Sequence, residues 1–68
     1  MSPYSSRIES LVPIDVDPRH VEAYMRIEHS TLDHLSPRAF RREVGIAVRC
    51  IEEGGVAAAE RAARSFGF

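Results

Sequence analysis

The chain reads as a small all-α domain: an orthogonal array of three helices over about residues 18–35, 37–53 and 56–66, preceded by an N-terminal arm or short extra helix. Three observations predict it. A proline-headed capping motif occurs twice, each segment that follows carries apolar side chains at helical spacing, and a Gly54-Gly55 pair separates the last two segments. No alternating apolar–polar run competes as a strand.

Residues 1–16 form the arm or short helix, and residues 17–68 a single helical domain. In the arm, Ser5 or Ser6 can cap a short helix through Ile8, Leu11 and Val12, and an extended conformation reads almost as well. Pro13 interrupts any helix there, since it has no N–H to donate and its ring clashes with the preceding turn.

The doubled motif is Val16-Asp17-Pro18-Arg19-His20-Val21 and Leu35-Ser36-Pro37-Arg38-Ala39-Phe40. In each, Asp17 or Ser36 accepts from the free N–H groups of a first turn. Proline occupies the first helical position, where the missing donor is harmless. An apolar residue before the cap meets one at the fourth helical position, a hydrophobic staple. Helices therefore start at Pro18 and Pro37. Because a residue before proline avoids helical angles, the first helix is expected to run to Leu35 and turn a tight corner with almost no loop. The second runs to about Glu53, where Gly54-Gly55 stops it. The third covers about Val56 to Phe66, with Gly67 at the left-handed cap position and Phe68 folding back.

In the first long helix the stripe Val21, Tyr24, Met25, Leu32 and Leu35 has the spacing of a core-facing side. Glu28 falls in that stripe and Glu43 in the apolar arc of the next helix, and both are buried-polar candidates. Glu28 must be paired or hydrogen-bonded, as in an ion pair with one of the arginines, or else be exposed at a surface another chain covers, as a functional or interface group would be. The second helix has an arc wider than one contact face: Phe40, Val44, Ala47, Val48 and Ile51, beside Ala39, Ile46 and Cys50. One side meets the first helix; the other meets the last helix or a second molecule. Gly45 lies mid-helix on the opposite face, at a cost of about 1 kcal/mol against alanine; close approach of another backbone would account for it, and so would simple tolerance.

With 68 residues the core is small, and a scaffold of this size usually draws on a metal, a disulfide, a partner or very good helix packing. Cys50 is the single cysteine, so no internal disulfide forms. The net charge of -1 gives no global pull toward nucleic acid or anionic membrane. No apolar run approaches a membrane span of about 20 residues, and the first residues lack the apolar core of a signal peptide. A soluble, cytoplasmic protein is the expectation.

No catalytic, cofactor or metal site is expected. The sequence has neither a nucleotide-binding glycine loop nor a G-x-S-x-G elbow. On one continuous helix His20 and His34 lie about 21 Å apart, while His29 and Asp33 at i,i+4 supply two ligands where zinc needs three or four. His20 and His34 at a helix interface would respond to pH near neutrality. Cys50, mid-helix on an apolar face, reads as a small buried hydrophobe.

The function expected is a non-enzymatic protein–protein interaction module, self-associating or acting as an accessory or inhibitory subunit. Its contact residues would be Ile27, Ile46, Cys50, Phe66 and Phe68. The alternative is a DNA-binding regulator, because Arg38, Arg42 and Arg49 share one face with Arg41 beside them, and such a row can contact phosphates. Residues Ile51-Glu52-Glu53-Gly54-Gly55-Val56-Ala57-Ala58-Ala59-Glu60-Arg61-Ala62-Ala63-Arg64-Ser65-Phe66-Gly67-Phe68 look like the opening of a bacterial helix-turn-helix: a glycine start, an alanine pair, then a hydrophobic–glycine–hydrophobic turn. The resemblance covers about a quarter of the chain. It implies a recognition helix after the turn, but the sequence ends at Phe68, so no DNA-reading position is carried over.

Overall fold

The computed structural model describes residues 4–29 and 31–67. The described residues form an all-α array of α1 (Ser5–Glu9), α2 (Pro18–Glu28), α3 (Pro37–Cys50) and α4 (Val56–Ser65). No helix is long and apolar enough to cross a membrane among the described residues.

Both caps form as the sequence predicts. The Arg19 N–H donates to Asp17 Oδ1 at 2.9 Å, and the Ala39 N–H donates to Ser36 Oγ at 3.1 Å. Both staples close on the core: Val16, Val21 and Phe40 belong to it and Leu35 packs against it.

The first long helix is shorter than expected. It stops at Glu28, not Leu35, and residues 29 and 31–36 lie in a connector in place of a tight corner. His29 is the exit point, with φ −130° and ψ 130°. The apolar stripe has a gap there, since Glu28 and His29 offer nothing to the core between Met25 and Leu32. His29, Ser30 and Thr31 are also weak helix formers in succession. The connector makes its own local bonds: the Asp33 N–H donates to Thr31 Oγ1 at 3.3 Å and the Leu35 N–H to the Leu32 carbonyl at 3.3 Å. Leu32 is buried all the same. Burial of that side chain is what the sequence encoded, and a turn delivers it as well as a helix does.

The N-terminal segment is helical and folds onto its own chain. Ile8 is fully buried, the Tyr4 ring lies 6.1 Å from that of Phe40, and the Arg7 guanidinium sits 4.1 Å above the Phe40 ring. The Tyr4 hydroxyl donates to Asp33, tying α1 to the connector.

α2 is the hub, packing against α1, α3 and α4. Burial from several sides explains why Val21, Glu22, Ala23 and Met25 are all enclosed, an arc wider than one stripe. Glu28 is exposed, because the helix ends beside it. The carboxylate that is buried is Glu22, only 2% exposed. Arg26, one turn on, places Nη2 3.2 Å from its Oε2, an ion pair without hydrogen-bond geometry.

Between α3 and α4 the chain makes a wide turn over Ile51–Gly55. Gly54 has φ +113°, and a side chain at Gly55 would put its Cβ 2.7 Å from the Cys50 carbonyl oxygen. One glycine supplies a left-handed conformation and the other a close backbone approach, so the pair does more than stop a helix. α4 ends at Ser65, with Gly67 at φ +80° donating its N–H to the Arg64 carbonyl.

Candidate interaction face on α3

α3 divides lengthwise. Phe40, Val44, Ala47 and Val48 face the core. At about 100° per residue, Arg38, Arg42, Gly45 and Arg49 fall in one stripe on the opposite side, with Arg41 on one flank and Ile46 and Cys50 on the other. All four arginines and Gly45 are exposed.

Since α4 docks chiefly on α2, it leaves this side of α3 open. Ile46 is 48% exposed. An alanine Cβ at Gly45 would meet nothing within 4 Å. Arg42, Gly45, Ile46, Arg49 and Cys50 together line a shallow groove. Behind it, the half-buried Cys50 lies against Tyr24 of α2, and the thiol beside the hydroxyl holds that phenol above its ordinary range.

The face is electrostatically one-sided. No ion pair engages Arg38, Arg41 or Arg49 among the described residues; Arg42 Nη2 lies 3.8 Å from Glu43 Oε1. Glu43 is half-buried and turned toward the connector, where its Oε2 is 3.6 Å from His29 Nε2.

The histidines end up apart from the arrangement a longer helix would impose. His29 and His34 both lie in the connector, with ring centroids 5.7 Å apart, edge to face. His20 stays in the first turn of α2, 3.9 Å from Asp17. His29 and Asp33 do not share a helix face. Among the described residues, no three His, Cys, Asp or Glu side chains converge as a metal would need.

The five expected contact residues do not form one patch. Ile46 and Cys50 share the α3 groove. Phe66 is 41% exposed at the end of α4, with the Arg26 guanidinium 5.9 Å from its ring. Ile27 is 56% exposed on the last turn of α2, and Phe68 lies outside the described residues. The sequence places Gly45 on this side of α3, and the structure adds that the space above it is open.

Compared with known protein families, with curated proteins and with solved structures, the chain matches none of them.

Proposed function

We propose that the chain is a non-enzymatic protein-binding module that uses the outer face of α3 to hold a segment of a different protein. One observation carries this reading. On a helix whose far side is core, the exposed side joins a stripe of arginines, a glycine within it with open space above, and a half-exposed isoleucine on its flank. Exposed apolar side chains bordered by arginines are a composition common at protein interfaces.

Charge favours a different protein over a second copy. In an antiparallel two-fold pairing through Gly45 and Ile46, Arg42 of one copy faces Arg49 of the other. In a parallel pairing each arginine faces itself. Like charges in apposition oppose both arrangements. The apolar centre also favours protein over nucleic acid, because Ile46 and Cys50 offer nothing to a phosphate, and Glu52 and Glu53 follow the row.

The test is site-specific photo-crosslinking in the cells that make the protein, with p-benzoylphenylalanine replacing Ile46 in one variant and the exposed Ala57 of α4 in another. The expected result is a discrete protein adduct from position 46, absent from position 57 and lost in R42E/R49E. Adducts from both positions, or from neither, overturn the reading. An adduct of twice the chain's mass would replace the different protein with a second copy. An adduct carrying nucleic acid would establish the arginine row as a phosphate contact.

A further inference from the structure

We infer that the segment held on α3 is a short amphipathic helix, acidic on the flanks of its apolar stripe, that crosses α3 at Gly45. This inference rests on the reading of α3 as a protein-binding face and names what that face selects.

Shape comes first. Helices pack about 8–10 Å apart, at a distance set by the side chains at the crossing point. Gly45 removes the side chain there, and nothing else in the fold occupies the space. The notch is open for the partner's ridge. Beside it, Ile46 and Cys50 form an apolar shelf suited to one aliphatic side chain.

Charge comes second. From Arg38 to Arg49 the stripe spans about 16 Å, three turns of helix. Arg42 and Arg49, one on each side of the notch, are about 10 Å apart. On a crossing helix, acidic residues separated by two turns, on either side of a small or aliphatic residue, meet both. Of the acids near the stripe, Glu43 is half-buried and shared with His29, and Glu52 and Glu53 lie past Arg49 at its far end, with no ion pair joining them to the row among the described residues, so Arg38 to Arg49 stay un-neutralised along the notch.

Backbone hydrogen bonding comes third. A peptide that binds by adding a strand needs a strand edge to pair with, and the described residues contain no strand. A single helix face has its own N–H and C=O groups already paired and offers none to a visiting chain. A helical segment satisfies its backbone internally and brings only side chains.

The experiment uses the full chain and a synthetic peptide of leucine, alanine and glutamate, about 18 residues long so that it forms helix, with glutamates flanking a leucine–alanine stripe. A twin carries lysine at every glutamate position. Binding is followed by fluorescence anisotropy at low and at physiological salt, with a mixed-sequence DNA duplex as third probe. The glutamate peptide is expected to bind about tenfold tighter than the lysine twin, weakening with salt as exposed charge pairs do. R42E/R49E, whose fold is checked by circular dichroism, is expected to reverse the preference. N-ethylmaleimide on Cys50, the single cysteine, fills the shelf and is expected to abolish binding. If both peptides bind equally, or neither binds while position 46 still yields a protein adduct, the acidic helix is wrong and the protein-binding face stands. If neither binds and position 46 yields no adduct, both fall. Preferential duplex binding with a steep salt slope overturns both in favour of phosphate contacts.

Discussion

Replacing Gly45 with alanine tests the α3 face most directly, because fold and function pull the result in opposite directions. Gly45 is in the interior of α3, where alanine is favoured over glycine by about 1 kcal/mol. The new Cβ meets nothing within 4 Å, so neither a clash nor a packing gain alters that figure. For a domain of this size, about 1 kcal/mol raises Tm by about 4–8 °C. With a urea m value of about 1 kcal/mol/M, the midpoint rises by about 1 M. Thermal and urea unfolding followed by circular dichroism at 222 nm measure both. The same methyl group intrudes into the notch and is expected to weaken docking on α3 about tenfold, a cost in function for a gain in stability. An unchanged or lowered Tm would refute the reasoning, because something would then already press on Gly45. If that loss grew with protein concentration, the occupant would be a second copy of the chain.

Gly55→Ala is expected to act in the opposite sense, lowering Tm through the 2.7 Å approach to the Cys50 carbonyl oxygen; a Tm equal to that of the parent chain would contradict the close approach. Arg26→Ala removes the cation facing the buried Glu22 carboxylate. Breaking a buried pair costs about 3–5 kcal/mol, and because Arg26 is 32% exposed and partly screened, about 2–3 kcal/mol is expected, a large share of what holds a small domain together. Urea unfolding checks this, and a Glu22→Leu/Arg26→Leu double variant should recover most of the loss. Asp17→Ala is expected to cost about 1 kcal/mol at pH 7 through its cap. The Arg19 side chain, hydrogen-bonded to Asp17, holds that carboxyl below its ordinary value. The stabilisation is therefore present above the unfolded-state pKa of about 3.9 and is lost as pH falls through the folded-state value. Unfolding of both proteins at pH 7 and pH 3 should show the gap between them narrowing in acid.

The arginine stripe was legible in the sequence, because it follows from a helix that forms as its cap and spacing dictate. Burial was less so. Glu28 lies in the apolar stripe yet is exposed, whereas Glu22, adjacent to Val21, lies outside the stripe and is enclosed. The stripe shows which side of a helix is most apolar, not how many neighbours surround it.

By itself the sequence determined the helix starts at Pro18 and Pro37, the break at Gly54-Gly55, the terminal cap and the two faces of α3. These are local consequences of proline, glycine, capping side chains and a period of about 3.6 residues. Only the tertiary structure decided that α2 ends at Glu28, that Ile8 completes the core, and that α4 packs on α2 and leaves Ile46 and Gly45 open. Each depends on which apolar surfaces meet across long stretches of chain. A local pattern shows that a side chain is to be buried, while the partner that covers it is chosen by the packing of the whole domain.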